Sequence, residues 1–106
     1  GWHLPLNKTE LLSDWVERHQ FPVIFVVDLK LGCLNHALLT YKAIKSSGLR
    51  IAGWVANGYR GMSFESENFE FLNSKISEPC LGRIPNVNSI EEASNFIDVE
   101  PLLTLN

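Results

Sequence analysis

The 106-residue chain is 45% hydrophobic and 20% charged, which suits one packed domain and is too apolar for a disordered polymer. A net charge of −3 supplies no basic stripe for nucleic acid, and no apolar run nears the roughly 20 residues that cross a bilayer. Cys33 and Cys80 form neither a disulfide framework nor a metal-ligand spacing with His3, His19 and His36, so reduced thiols in a cytoplasm are the expectation.

The chain opens on Gly1-Trp2-His3-Leu4-Pro5, without Met and without the charged and apolar regions of a secretory leader. This reads as the end of a strand, and residues 1–106 are expected to be the carboxy-terminal portion of a longer, single-domain polypeptide. Leu11, Leu12, Trp15, Val16 and His19 recur at helical spacing. Asn7 or Thr9 is the cap candidate, with Glu10 completing an Asn-x-x-Glu variant of the capping box. Phe21-Pro22 ends that helix, and residues 22–28 read as a fully buried strand. A helix from about Asn35 to Ser47 follows, with Leu34, Ala37, Leu38, Tyr41 and Ile44 on one face and Gly48 as its C′ residue.

Arg50 to Asn57 reads as a second buried strand, and residues 58–64 as a loop. Phe69, Leu72 and Ile76 predict a helix from about Ser66 to Ser74. Cys80 to Ile84 is a short strand stopped by Pro85, and Ser89 with Glu92 makes a capping box for a last helix through Phe96. Trp2, Trp15 and Trp54 are expected in the core. Three apolar strands separated by helices predict an α/β fold, a parallel sheet flanked by helices on both faces.

Such a sheet binds ligands beyond the carboxyl ends of its strands. Those ends are Asp28 to Cys33, Asn57-Gly58 and Pro85 to Val87, expected to point into one crevice. The first is the most informative, because a strand, a short loop with Gly32 and a helix start together favour an anion. Gly32 equally permits a turn, and Asn35 equally serves as an N-cap. Asn57 can accept from and donate to a purine edge at once, while Asn-Gly is also an ordinary turn dipeptide. Lys30 reads as a solvated lysine or as added attraction for a carboxylate; His36 reads as packed or solvated.

Leu31-Gly32-Cys33-Leu34-Asn35-His36-Ala37-Leu38-Leu39-Thr40, then Ala52-Gly53-Trp54-Val55-Ala56-Asn57 and Leu81-Gly82-Arg83-Ile84-Pro85, resemble the dethiobiotin synthetase family. The resemblance extends to Gly1-Trp2, Asp14-Trp15 and Pro22 to Val27. It implies a P-loop NTPase-like sheet and a homodimeric ligase that joins CO2 to 7,8-diaminononanoate with ATP and Mg2+. The amine becomes a carbamate, the carbamate takes the γ-phosphoryl group, and the second amine closes the ureido ring with loss of phosphate. No G-x-x-x-x-G-K-[ST] loop occurs in these residues. The family's catalytic lysine and acidic Mg2+ ligands fall in the missing amino-terminal part, so this chain alone is expected to be inactive.

By the same resemblance, Gly32, Cys33 and Asn35 hold the substrate carboxylate, partly across the dimer interface. Asn57, Gly58, Pro85, Asn86 and Val87 belong to the ATP site at its adenine end, where Asn86 departs from the family's usual residue. Glu92 matches a carboxylate near the ribose, although the capping box explains it equally well. A tyrosine that some relatives place on the substrate falls near Asn68 and Phe69 here, with Tyr59 as a substitute. Two other readings stand beside this one: another ATP-dependent ligase or amidotransferase of the same fold, and a non-catalytic nucleotide-binding fragment.

Overall fold

The computed structural model of the chain describes residues 1–58 and 64–103. The predicted loop residues 59–63, Tyr59 among them, lie outside this set. Asn7 turns the chain instead of capping a helix: its Oδ1 accepts from the N–H groups of Thr9 and Glu10, both at 2.9 Å. The Glu10 carboxylate pairs with Arg18 at 2.9 Å, so the expected Asn-x-x-Glu box does not close. Helix α1 (Leu12–His19) begins later, with Asp14 Oδ2 accepting from Leu11 N–H at 2.8 Å. A carboxylate there satisfies an orphan donor and complements the helix dipole. Trp15, expected in the core, is 38% exposed and packs at the surface against His19 and Phe21, with ring centroids 4.7 and 5.3 Å away.

Strands β1 (Val23–Asp28), β2 (Ile51–Asn57) and β3 (Cys80–Ile84) form one parallel sheet in the order β1-β2-β3. Parallel neighbours need a crossover, and helices α2 (Cys33–Ser46) and α3 (Glu65–Lys75) supply the two. The central strand β2 is buried from Ile51 through Ala56, as its unbroken apolar run predicts. Strand β1 is not fully buried: Phe25 and Val27 face the core, while Ile24 is 48% and Val26 60% exposed. The physical reason is position, since an outer strand keeps its second face open where no helix covers it.

Phe25, Val27, Trp54, Ala37, Ile44 and Leu72 belong to one core cluster between the sheet and the crossover helices. Trp54 is fully buried. Its indole N–H has no partner among the described residues, so its burial rests on packing, including a stack on Phe69 at 5.7 Å between centroids. Each fully buried large side chain of this kind contributes roughly 2 kcal/mol. Gly48, at φ +79°, ends α2 in the left-handed conformation expected of a C′ residue.

Two features past β3 are not legible from periodicity. Residues 96–98 run along its outer edge, with a Gly82–Ile97 antiparallel bridge and Asp98 N–H donating to the Leu81 carbonyl at 2.7 Å. A Cβ at Gly82 would run into the Phe96 carbonyl, which is why the smallest residue stands there. Helix α4 (Ile90–Ser94) starts at Ser89 as predicted, its Oγ accepting from Glu92 N–H at 3.1 Å. The Glu92 carboxylate accepts from Asn88 N–H rather than Ser89 N–H, at 3.1 Å, so the box is closed one residue early. A further helix, α5 (Glu100–Leu103), lies against β2 and is capped by Asp98, which accepts from Glu100 N–H at 3.0 Å.

Candidate functional site

The carboxyl ends of the three strands lie side by side because, past the register shifts at Val23/Ile24 and Trp54/Val55, the pairings run in step to the strand ends. Asp28 pairs with Asn57, and Asn57 pairs with Ile84. Backbone bonds carry that row outward: Leu29 N–H donates to the Asn57 carbonyl at 2.9 Å, and Gly58 N–H donates to the Ile84 carbonyl at 2.7 Å. The ends named from the sequence therefore occupy one edge of the sheet.

At the first strand end the chain turns through Gly32 into α2. Gly32 sits at the N-cap position with φ 84° and ψ 0°, a left-handed conformation that costs an L-residue about 1–2 kcal/mol. The helix therefore starts three residues ahead of the place expected for an Asn35 cap, and Asn35 is an exposed residue of the first turn. Cys33 is buried, and its N–H already donates to the Lys30 carbonyl at 2.9 Å. The N–H groups of Leu34 and Asn35 have no partner among the described residues, so they are the donors this helix start offers. Lys30 is an exposed loop residue with Nζ 3.8 Å from Asp28 Oδ2, and His36 is exposed.

A groove of about 700 Å³ runs beside β1 and reaches this helix start, walled by Trp2, Leu4, Ile24, Val26 and Gly32. It takes in Gly32 and Cys33 but not Asn35, Asn57, Gly58, Pro85 to Val87 or Glu92. The two halves of the sequence-predicted site thus share an edge of the sheet without sharing this groove.

The second and third strand ends form the other half. Asn57 is half-buried, and its side-chain amide makes no hydrogen bond among the described residues, although the backbone on both sides is held. Gly58 is buried, Pro85 and Asn86 are exposed, and Val87 is half-buried. Asn68 and Phe69 are half-buried on α3.

Sequence reasoning does not single out Glu65 or Arg83, yet both stand at this end. Arg83 Nη2 lies 3.5 Å from Glu65 Oε1 and donates to Ser66 Oγ at 3.1 Å. Its guanidinium carbon lies 4.9 Å from the Phe69 ring centroid, within cation–π range. The only sequence signal is a pair of opposite charges, one just inside a helix start and one near a strand end. Among the described residues no cluster of three or more His, Cys, Asp and Glu comes together to hold a metal ion, and no helix is long and apolar enough to cross a membrane.

A family model described as an AAA domain matches residues 1–94. The chain is 51% identical over 106 residues to the ATP-dependent dethiobiotin synthetase BioD of Aeromonas hydrophila, covering 97% of this chain and 47% of that protein. Identity to the protein of the same name from Vibrio parahaemolyticus is 45% over 108 residues, covering 99% of this chain and 47% of that protein. For Cellvibrio japonicus it is 43% over 106 residues, with coverage of 97% and 46%. The chain spans about half the length of the curated relatives it matches.

Proposed function

The chain belongs to the AAA domain family matched by its residues 1–94, and we propose that it forms part of an ATP-dependent dethiobiotin synthetase. The full enzyme converts 7,8-diaminononanoate, CO2 and ATP to dethiobiotin, ADP and phosphate in biotin biosynthesis. It works as a homodimer in the cytoplasm, with Gly32 to Asn35 near the interface. The observation that carries this reading is 51% identity across 97% of the chain to a protein bearing that name. The shared edge of the three strand ends supports it.

In this reading the chain binds and orients, and does little else. Asn57, Gly58 and the Pro85 to Val87 segment receive adenine, with the free Asn57 amide as the base reader, and Glu92 stands near the ribose. Gly32, Cys33 and Asn35 line the place of the diamine carboxylate, with the unpaired N–H groups of Leu34 and Asn35 and the Asn35 amide as its donors. Positioning supplies a large share of catalysis when a phosphoryl group is transferred between two bound reactants. Among the described residues no group of three or more His, Cys, Asp and Glu comes together to hold a metal ion, and in this reading the Mg2+ ligands lie in the amino-terminal part of the full enzyme.

The test is phosphate release by the full-length protein. The reading predicts ATP turnover that requires both 7,8-diaminononanoate and bicarbonate and yields dethiobiotin by mass. Turnover driven by a different amine or acid would instead identify another ligase of this fold. ATP binding without turnover under any of these conditions would identify a non-catalytic nucleotide-binding protein.

A further inference from the structure

We propose that Arg83, acting through Glu65, is a positioning residue for the base-reading end of β2, an inference that rests on the nucleotide reading above. Arg83 pairs in the sheet with Ala56, the residue before Asn57. Its guanidinium reaches three residues in the first part of α3, namely Glu65, Ser66 and Phe69. Phe69 in turn stacks on the buried Trp54 of β2. One side chain therefore ties the start of α3 to the two strands that carry the site.

Glu65 transmits this hold to the backbone. Its side chain is 17% exposed, and its carboxylate lies directly on Gly58. A Cβ built at Gly58 would stand 3.0 Å from the Glu65 carboxyl carbon and 3.1 Å from the Ile84 carbonyl oxygen. Gly58 is thus held by the β3 strand end, which takes its N–H, and covered by the Glu65 carboxylate. A largely desolvated carboxylate stays in such a place only beside a counter-charge. Without Arg83 the carboxylate turns to water, Gly58 loses its cover, and Asn57 gains freedom to tilt. A bidentate amide–base contact tolerates little misalignment, since displacements near 1 Å cost large factors in rate or affinity.

Steady-state kinetics of the full-length enzyme test this. Arg83→Ala should raise KM for ATP about tenfold, leave kcat and KM for the diamine within about twofold, and narrow the preference for ATP over GTP. Arg83→Lys, which keeps the charge, should recover most of the ATP affinity. Glu65→Gln keeps the volume over Gly58 and should give a smaller rise. Its combination with Arg83→Ala should be no worse than Arg83→Ala alone, as expected for two members of one contact. Unchanged ATP KM and ATP-over-GTP preference in Arg83→Ala would overturn the inference while leaving the nucleotide reading intact. A parallel rise in both KM values with a lowered melting temperature would also overturn it, showing a residue that only holds the fold. A wild-type enzyme without saturable ATP use would overturn both.

Discussion

Tyr41→Phe removes a hydroxyl whose shortest contact is Glu78, with longer ones to Ser77 Oγ at 3.2 Å and from Ser77 N–H at 3.4 Å. The Tyr41 hydroxyl donates to Glu78 Oε1 at 2.6 Å, and Lys45 Nζ donates to Glu78 Oε2 at 2.7 Å. These bonds tie α2 to the segment that leads into β3. Burial pushes the Glu78 carboxyl up, but the hydrogen bonds from Lys45 and Tyr41, a backbone hydrogen bond and the Lys45 charge together hold the group below the ordinary carboxylate value. Glu78 is 13% exposed and Lys45 48%, so the lysine bond is weakened by solvent while the tyrosine bond is sheltered. A hydrogen bond to a charged group contributes about 1.5–3 kcal/mol, and Ser77 Oγ, which stays as a second donor to Glu78 Oε1 at 3.3 Å, places Tyr41 near the lower end. Phenylalanine keeps the ring near Phe25, 6.5 Å away between centroids, so about 1.5 kcal/mol should be lost at neutral pH.

The sign with pH follows from the direction of the shift. A carboxyl lowered in the folded state stabilises fully above its ordinary value, and that stabilisation is lost as pH falls through the lowered value. Urea unfolding of the full-length protein and its Tyr41→Phe variant, at neutral pH and at progressively lower pH, reads this out. The gap between the two should be whole at neutral pH and shrink as Glu78 protonates. An equal gap at all pH values, or none at neutral pH, would refute the assignment of a charge-assisted bond.

Gly32→Ala meets open space, so only the left-handed backbone opposes it; stability should fall by about 1–2 kcal/mol, and an unchanged melting temperature would contradict the φ of +84°. If this helix start holds the diamine carboxylate, the same variant should raise KM for the diamine and spare KM for ATP. Gly82→Ala should push residues 96–98 off β3 at a cost of about 1–3 kcal/mol. Hydrogen exchange at Asp98 N–H, which bonds the Leu81 carbonyl, should then accelerate, whereas retained protection would show that the edge tolerates a methyl group. Residues 1–106 expressed alone should self-associate through the open face of β1, where Ile24 and Val26 are exposed. Val26→Lys should reduce light scattering, and a monomer that melts cooperatively at every concentration would count against this.

The parallel sheet is legible because its strands are unbroken apolar runs separated by helical periods, and Ile51 to Ala56 is buried throughout. The same kind of run misreads β1, since Ile24 and Val26 look alike whether or not a helix covers them. Cap preference points to Asn35, but Gly32 can adopt the left-handed conformation that opens α2 earlier. Asn7 has the right residue type and spacing for a helix cap and instead stabilises an isolated turn. Glu65, Arg83 and Gly58 come together only through the α3 crossover, a contact that local spacing does not encode. Helix α5 carries a local signal, Asp98 followed by Glu100 and Pro101, but it is too short for periodicity to reveal.

The central claim is that the row of strand ends reads a purine through Asn57. Equilibrium titration of the full-length enzyme and its Asn57→Ala variant with ATP and GTP tests it most directly. A lost bidentate contact is worth about 1–3 kcal/mol, so the variant should bind ATP about tenfold weaker or worse and lose much of its preference over GTP. Equal ATP affinity and equal discrimination in the two proteins would contradict the account.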